Sequence, residues 1–395
     1  MKNISILLVC DSRYQSGAWW RTTGPFTKLR KQYRDINFQF RWMPAEDMRW
    51  VDVAGADIAF FHRPYHELHM KIFRMCLDAS VPTWLDIDDD LFHIEHDNAC
   101  FNDYMDRTVH DRMIRMIYAA NVVTVSTFEL KRQLDRFRPG KDCLLLKNAF
   151  DEKDWKYRDV TTRAPEHRVV WRGSHHHQKD LIQVSDDIIR IANKFPDFSF
   201  YFVGFKPWWI IENCDNAYTV SQTDVINFHK LLHHLRPDVG IVPLAEGTFN
   251  KCKSNIAAQE LSMAGGMVVA PAWEEWNIPG VMNYGPGPKA FGITLEQAID
   301  TVKLGGHLEN MERTWEFCRR EYDLSFWNQR RIQIVLGLLK EASIATYVKE
   351  DQIKTYGKEI IPEDIKSIAK LTEKGGKIVE IGGKNDESIP KENVL

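Results

Sequence analysis

Short apolar runs alternate along the chain with longer segments whose apolar residues recur every three or four positions. In the first part the runs are ISILLVC (4–10), DIAFFHR (57–63), VPTWLDI (81–87), NVVTVST (121–127) and CLLLKN (143–148). They are continuously apolar, as in parallel strands that are buried on both faces. Segments 65–79 and 105–120 have the helical period, so the pattern predicts βα units around a parallel sheet.

The alternation stops at a polar stretch, 151–167, and then restarts. The later runs are RVVWRG (168–173), FSFYFVG (198–204), VGIVPL (239–244) and MVVAP (267–271), with helical patterns near 178, 222–236 and 254–264. Two alternations predict an α/β protein with two Rossmann-like, doubly wound domains. Ligands of such sheets bind at the carboxyl ends of the strands, and two facing sheets form a cleft between them.

The domain boundaries follow from the same pattern. We expect an N-terminal domain at 1–150, a linker at 151–167, a C-terminal domain at 168–346 that helices at 307–320 and 325–346 complete, and a polar tail at 347–395. The tail contains no Phe or Trp and is rich in Lys, Glu and Gly, so we expect it to pack weakly.

Composition and charge narrow the class of protein. A hydrophobic fraction of 44% fits a globular protein, and a net charge of −3 gives no overall attraction to nucleic acid or anionic membrane. The seven Cys include no C-x-x-C pair, which indicates reduced thiols rather than a disulfide framework or a zinc site. No apolar run approaches the roughly 20 residues of a membrane span, and the first run is too short for a signal peptide. We therefore expect a cytoplasmic protein, with the oligomeric state left open.

The stretch PLAEGTFNKCKSNIAAQELSMAGGMVVAP, 243–271, has the features of an anion-binding loop. Ser254 and Asn255 are favourable N-cap residues for the helix that follows. The N-terminus of that helix and the charge of Lys253 favour a phosphate group, and Glu260 is placed to accept hydrogen bonds from ribose hydroxyls. An ordinary capped helix with a surface Lys and Glu explains the same pattern.

A second loop, VVWRGSHHHQKDL at 169–181, follows another predicted strand. Gly173 and Ser174 are predicted to form a tight turn that faces a phosphate, and His177 begins the next helix. Three adjacent His without Cys or carboxylate at ligand spacing disfavour zinc. We expect one His to contact a phosphate or a sugar and the other two to be solvated.

These two loops resemble the donor-binding half of glycosyltransferases with the GT-B fold, and the match is closest to retaining family four. The segments GAWWRTTGPFTKL, FFHRP, DIDDDLF, VVTVST and LKNAFD resemble, in the same order, the first half of a bacterial and phage branch of that family. The resemblance covers roughly residues 3 to 330. It implies two facing domains, a nucleotide sugar on the second, an acceptor on the first and retention of anomeric configuration.

One position departs from the family. Many members have a Glu that helps to hold the donor sugar eight residues before the equivalent of Glu260, and here that residue is Cys252. Lys253 would stabilise the departing diphosphate, and Glu260 would hold the ribose. The residues predicted to bind the donor are Gly17, Arg21, Gly173, Ser174, His177, Asn250, Ser254, Asn255, Gly265 and Gly266.

The segment DIDDDLF, 86–92, crowds four carboxylates at the end of a predicted strand. One interpretation is a Mg²⁺ or Mn²⁺ site like the D-x-D motif of a different glycosyltransferase fold, and another is a solvated strand end. We prefer a third, in which Asp88 or Asp90 faces the acceptor hydroxyl or the reacting anomeric carbon. Because the donor loops already supply a cation and a helix N-terminus, we expect neither a metal nor another cofactor.

Other residues of the first domain are predicted to lie on the acceptor side. Asp89 could cap the following turn or pair with Arg63, and Arg21 could pair with a phosphate or an anionic acceptor. Trp19 and Trp20 could stack on a sugar or a base, and a place in the core is equally compatible with either residue.

The sequence thus predicts a glycosyltransferase that moves a sugar from a nucleotide-diphosphate sugar to the hydroxyl of a glycan or small molecule. A hydroxylated base in DNA is an alternative acceptor, provided that the basic stretches 27–34 and 130–141 share one face of the first domain. A non-catalytic protein that binds a nucleotide sugar or nucleic acid on the same fold is a further alternative, which the Cys at position 252 allows.

Overall fold

The computed structural model describes residues 2–10, 16–154 and 166–348. Most of the predicted linker and nearly all of the predicted tail lie outside the described residues. The two sheets belong to one unit, Met1–Ile344, and a second unit spans Ala345–Leu395. Among the described residues, no helix combines the length and apolarity needed to cross a membrane.

Each sheet has six parallel strands. The first contains β1 (Lys2–Val9), β2 (Ile36–Trp42), β3 (Ile58–His62), β4 (Thr83–Ile87), β5 (Val122–Val125) and β6 (Leu144–Leu145), in the order β2-β1-β3-β4-β5-β6. The second contains β7 (His167–Gly173), β8 (Phe198–Gly204), β9 (Ala217–Val220), β10 (Val239–Ile241), β11 (Met267–Pro271) and β12 (Met282–Tyr284), in the order β12-β11-β10-β7-β8-β9. The strand order reverses beside β1 and beside β7, which are the usual ligand positions of doubly wound sheets.

Helices connect the strands. In the first half they are α1 (Ser16–Ala18), a π-helical turn (Trp19–Thr23), α2 (Gly24–Gln32), α3 (Trp50–Ala54), α4 (Glu67–Asp78), α5 (Phe101–Tyr104), α6 (Arg107–Ala119) and α7 (Phe128–Asp135). The later helices are α8 (Gln178–Ile182), α9 (Ser185–Lys194), α10 (Trp208–Ile211), α11 (Val225–Leu235), α12 (Thr248–Lys251), α13 (Ile256–Met263), α14 (Ala290–Lys303), α15 (His307–Glu321) and α16 (Leu324–Val348).

The predicted α/β class with two doubly wound sheets is confirmed, and each predicted apolar run contains a strand. Three strands were not predicted, namely β2, β9 and β12, and each lies at the edge of its sheet. Because an edge strand is only partly covered, β2 and β9 mix buried and exposed positions and β12 is half-buried throughout, so none of them is a continuous apolar run. We call the part built on β1–β6 the first lobe and the part built on β7–β12 the second lobe.

The last helix corrects a predicted boundary. We expected 325–346 to complete the second domain, but α16 packs on the first sheet. Trp327 and Val335 of α16 share a core cluster with Ile4 of β1, Phe26 of α2 and Trp84 of β4. The reason is that α2 alone would leave much of that sheet face exposed to water.

The two basic stretches lie on opposite faces of the first sheet. Phe26 and Leu29 of α2 belong to the cluster that contains α16, whereas Leu130 and Leu134 of α7 belong to the cluster on the other face. The condition for a polyanion-binding surface, that 27–34 and 130–141 share one face, is therefore not met.

The chain crosses between the lobes at two places that contact each other. The N–H of Phe150 donates to the carbonyl of Tyr322 at 3.0 Å, and the N–H of Leu324 donates to the carbonyl of Phe150 at 2.9 Å. Phe150 leads out of the first lobe and Leu324 leads back into it, so the two crossings are hydrogen-bonded side by side.

A buried ion pair joins the π-helical turn to β4. Arg21 Nε and Nη2 donate to the two carboxylate oxygens of Asp86 at 2.8 and 2.7 Å, and Nη1 donates to the Leu146 carbonyl and to Asn148 Oδ1. Arg331 of α16 is buried beside this pair. Burial, together with the charge of Arg21, lowers the pKa of Arg331 to about 9.

Replacing Arg21 with Ala should strongly destabilise the first lobe, because it leaves the carboxylate of Asp86 buried and unpaired. We expect the free energy of unfolding, measured by urea titration, to fall by about 3–5 kcal/mol. Arg49→Ala is the matched control, because Arg49 makes an exposed pair with Asp52 that contributes little. A loss no larger for Arg21→Ala than for Arg49→Ala would contradict this prediction.

Candidate functional site

The carboxyl ends of β1, β3 and β4 bring three loops together in the first lobe. Gly17 lies in α1, the short helix after β1. A Cβ atom on it would lie 3.4 Å from the side chains of both His62, the last residue of β3, and Arg63, the residue after it. The Asp-rich run begins on β4, the next strand. The topology therefore assembles residues that are far apart in sequence at one edge of the sheet.

Arg63 binds two carboxylates of the run. Its guanidinium donates to both oxygens of Asp88 and to Asp89, and His62 Nε2 lies 3.2 Å from Asp88 Oδ1. Burial works against the charge on Asp88, but Arg63 and His62 outweigh it and hold the pKa of Asp88 well below its usual range. Asp88 is buried and ionised, whereas Asp89 keeps part of its surface exposed.

The backbone of Arg63 is strained. Its φ is 47°, in the left-handed region, and the next residue is Pro64, which disfavours such a conformation further. The Arg63 N–H donates to the Asp86 carbonyl at 2.9 Å, which helps to hold the turn. Strain that surrounding contacts maintain is a feature of functional sites, and it supports this cluster as part of the site.

Asp90 does not face the cleft, which corrects the prediction that placed it at the acceptor. The carboxylate is fully buried, accepts from the Phe92 N–H at 3.1 Å and lies 2.7 Å from His93 Nδ1. The Cys252 thiol of the second lobe lies 3.6 Å from Asp90 Oδ2, the oxygen that His93 also contacts. Asp90 caps the turn after β4, a role that the sequence analysis considered for other members of the run.

Across the cleft, β7 ends in the predicted turn at Gly173 and Ser174. A Cβ atom on Gly173 would lie 2.6 Å from the Trp171 ring, so this turn requires glycine. Gly204 at the end of β8 has φ of +99°, and a Cβ atom there would lie 2.4 Å from the Gly173 carbonyl. Two glycines thus fix the turn, while Ser174 remains half-buried beside it.

Lys253 is a cation without a carboxylate partner among the described residues. Its ammonium group lies 4.5 Å from the centre of the Phe249 ring. Its positive charge also acts on His177, the last residue of the short helical turn His175–His177. Burial and then Lys253 lower the pKa of His177, against an opposing contribution from Asp180, which lies 2.8 Å from Nδ1. A neutral His177 and a cationic Lys253 therefore lie at the carboxyl edge of the second sheet.

Glu260 on α13 is buried and pairs with Arg172 at the end of β7. Burial raises the pKa of Glu260, and Arg172 and Trp20 offset part of this effect. The sequence analysis missed Arg172. Its position directly before the predicted turn Gly173–Ser174, on a strand that ends at the cleft, is the signal that identifies it.

Several predicted donor contacts are engaged within the protein. Asn255 is fully buried, donates to the Glu275 carbonyl and the Tyr322 hydroxyl, and does not cap α13 with its side chain. Asn250 is buried and donates to Asp180 Oδ1 at 2.8 Å. The predicted donor contacts of Asn255 and Asn250 are therefore corrected, because their polar groups stabilise the loop instead. The missing side-chain cap leaves the start of α13 available to a ligand.

Three further predicted residues have structural roles within the protein. Gly265 and Gly266 end α13 directly before β11, at the amino edge of the sheet, whereas the site lies at the carboxyl edge. Gly265 adopts φ of +95°, as the C-terminus of the helix requires. The prediction that Gly265 contacts a ligand is therefore replaced by a structural role. The guanidinium of Arg21 binds Asp86, so pairing with a phosphate would require it to leave that partner.

Trp19 and Trp20 differ in how deeply they are buried. Trp20 is buried and belongs to the core cluster that includes Val170 and Ala258 of the second lobe, which matches the core interpretation. Trp19 is half-buried and packs against the same cluster. The chain after β1 therefore reaches across to the second lobe and contacts it beside Glu260.

The lobes contact each other around the site. Cys252 is buried in the core cluster of the first lobe, and its carbonyl accepts from the Thr127 hydroxyl at 2.9 Å. Asn148 donates to the Ser254 hydroxyl at 2.7 Å, so this predicted donor residue also joins the lobes. At the opposite rim, Cys100 Sγ lies 3.5 Å from His176 Nδ1. Cys252 thus anchors the loop of the second lobe to the first lobe.

Within the described ranges, no group of three or more His, Cys, Asp or Glu side chains is arranged to hold a metal ion. The expectation that the protein works without a metal stays a prediction. The Asp-rich run is explained by protein contacts, because each carboxylate has at least one partner within the chain.

Comparisons with solved structures show which fold this is. The chain is similar to sucrose-phosphate synthase from Thermosynechococcus elongatus (TM-score 0.63, 12% identity, 86% of this chain and 100% of that chain). It is also similar to Anabaena HepE in complex with UDP and glucose (0.61, 12%, 85% and 100%). A third neighbour is a glycosyltransferase from Rickettsia africae (0.59, 10%, 86% and 100%). The two facing sheets therefore form the GT-B fold, as predicted.

No protein-family model matches the sequence, and no curated protein sequence matches it. Identities of 10–12% show the fold alone. The specific resemblance to family four stays a prediction.

The pKa of His177 generates a test of the site in solution. Because the folded-state pKa lies below the ordinary value of about 6.5, the unfolded chain takes up a proton first as the pH falls. The free energy of unfolding should therefore decrease as the pH is lowered below about 6.5. His177→Asn, whose amide can replace Nδ1 next to Asp180, should reduce this slope in urea titrations. An unchanged slope would place His177 in a different environment.

Proposed function

We propose that the protein is a glycosyltransferase that transfers a sugar from a nucleotide-diphosphate sugar on the second lobe to an acceptor hydroxyl in the cleft. The observation that carries this proposal is Lys253, a cation without a carboxylate partner in the described part of the chain, beside the uncapped start of α13. A helix N-terminus with an adjacent cation favours a diphosphate.

The donor site combines three elements that end at one edge of the second sheet. The turn Gly173–Ser174 lets the backbone approach a phosphate, and Lys253 together with Arg172 offsets the negative charge of the diphosphate. Glu260, paired with Arg172 at the end of β7, would hold the ribose. HepE, one of the similar structures, is in complex with UDP and glucose, which supports a nucleotide donor.

On the acceptor side, Asp89 replaces Asp88 and Asp90 as the candidate that contacts the acceptor. It is the carboxylate of the run that is partly exposed, and Arg63 holds it in place. In the reaction, the bond between the anomeric carbon and the diphosphate oxygen breaks while a bond to the acceptor oxygen forms. The acceptor proton passes to a departing phosphate oxygen or to Asp89. Asp88 positions Arg63 and does not touch the substrate.

Retention of configuration and independence of metal are parts of the same proposal. Retention rests on the resemblance in sequence. Metal independence rests on Lys253 and Arg172, which supply positive charge where a metal would otherwise bind the diphosphate.

The decisive assay is release of nucleotide diphosphate from UDP-, GDP- and ADP-sugars, with and without EDTA. Release from one donor that EDTA does not change supports the proposal. Loss of release with EDTA would contradict metal independence, and no release from any donor favours a binding protein.

Lys253→Ala should weaken the binding of the nucleotide diphosphate. Loss of a charge-assisted hydrogen bond of about 1.5–3 kcal/mol corresponds to a roughly 10- to 100-fold higher Kd in isothermal titration calorimetry. Lys251→Ala is the matched control, because this Lys lies in the same loop but pairs with Glu246 at 2.8 Å on the exposed side. Equal losses in both variants would show that Lys253 does not contact the donor.

Asp89→Asn should lower the rate of transfer while donor binding is retained. We expect kcat to fall at least tenfold, because an amide neither accepts the acceptor proton nor offsets positive charge as a carboxylate does. The Kd for the nucleotide should remain within about twofold of wild type. A variant that keeps full kcat would remove Asp89 from the mechanism and leave the donor site unaffected.

A further inference from the structure

Two tyrosine rings lie on the first-lobe wall of the cleft beside the Arg63 cluster. Tyr65 follows Arg63 by two residues, and Tyr104 ends α5, which begins directly after Cys100. The ring centres are 4.6 Å apart, and both residues are half-buried. Because Cys100 contacts His176 of the second lobe, the pair lies between Arg63 and the rim where the lobes meet.

The chain around Tyr65 is held in place from several sides. The Tyr65 carbonyl accepts from Arg112 at 2.6 Å, and its N–H donates to His69 Nδ1 at 3.3 Å. Burial lowers the pKa of Arg63, whereas Asp88 and Asp89 raise it. Tyr104 lies close enough to Arg63 to add a smaller effect that also raises this pKa. The two rings therefore have a defined position beside the Arg63 cluster.

The same wall has more carboxylates than cations. On the first lobe, Arg63 faces Asp88 and Asp89 together, and Arg112 binds the Tyr65 carbonyl. Glu95 and Asp97 of this lobe pair with Lys179, which lies on α8 of the second lobe. Exposed Asp103 adds a further carboxylate close to Cys100. The first-lobe wall is thus net negative, whereas the second-lobe wall has the cation of Lys253.

We propose that the acceptor is a saccharide without phosphate or carboxylate groups, whose ring stacks on Tyr65 and Tyr104 and whose reacting hydroxyl reaches Asp89. This rests on the proposed function and names its acceptor class. A sugar ring has an apolar C–H face that packs on aromatic rings and a rim of hydroxyls that donate to carboxylates. A phosphorylated sugar or a nucleic acid would meet like charges along the same wall.

The test is direct binding, which does not depend on turnover. Isothermal titration calorimetry compares maltotriose, cellotriose and chitotriose with glucose 6-phosphate and with a single-stranded oligonucleotide that contains 5-hydroxymethyluracil. We expect at least one neutral trisaccharide to bind, with glucose 6-phosphate and the oligonucleotide at least tenfold weaker.

Tyr104→Ala should raise the Kd of that trisaccharide about five- to tenfold. Tyr104→Phe, which keeps the ring, should remain within about threefold of wild type.

The control for a general effect of losing an aromatic ring is Tyr218→Ala. Tyr218 pairs with Tyr201 at 5.3 Å on the second sheet, away from the cleft, and this variant should bind the saccharide as wild type does. Tighter binding of glucose 6-phosphate or the oligonucleotide, no binding of any neutral trisaccharide, or an unchanged Kd in Tyr104→Ala would overturn the proposal. Saccharide binding without turnover of any donor would instead contradict the proposed transferase and leave the acceptor class supported.

Discussion

The crowding of four carboxylates at the end of β4 is the constraint on which the first lobe depends. Charges this close must each find a partner, because a buried carboxylate without one costs several kcal/mol. The partners come from four parts of the chain: the π-helical turn after β1, the end of β3, the turn that follows the run and a loop of the second lobe. Pairing the four carboxylates of this short segment therefore fixes the relative positions of elements that span most of the protein.

The same constraint separates the two sides of the cleft by charge. Arg21 and Arg63 of the first lobe are used to neutralise the run, so the acceptor side keeps an excess of negative charge, and of the four carboxylates in the run Asp89 remains partly exposed. On the second lobe the opposite holds, since Lys253 has no carboxylate of its own among the described residues. Such a division suits a reaction in which an anionic leaving group stays on one side while a hydroxyl approaches from the other.

The sequence predicted the architecture well because buried parallel strands are continuous apolar runs, and it missed the edge strands because partial burial removes that signal. The loops proposed for the site follow predicted strands directly, and the topology brings them to the carboxyl ends of those strands. The sequence could not predict which polar groups are used internally. Asn255 has the chemistry of a ligand-binding residue, but its partner Tyr322 is distant in sequence. Asp90 has the local partners Phe92 and His93, and it also contacts Cys252, which is 162 residues away. Likewise, nothing local to α16 shows that its apolar face covers the other lobe.

The paired crossings at Phe150 and Leu324 tie the two lobes together at one point. Both hydrogen bonds use peptide groups of Phe150, so a shift of one crossing along the other would break both. Two bonds beside the site add to this link: the Thr127 hydroxyl donates to the Cys252 carbonyl, and Asn148 donates to the Ser254 hydroxyl. The position of the loop before α13 relative to the first lobe is therefore set by bonds that join the lobes. A substitution at either end of such a bond acts on both sides of the cleft.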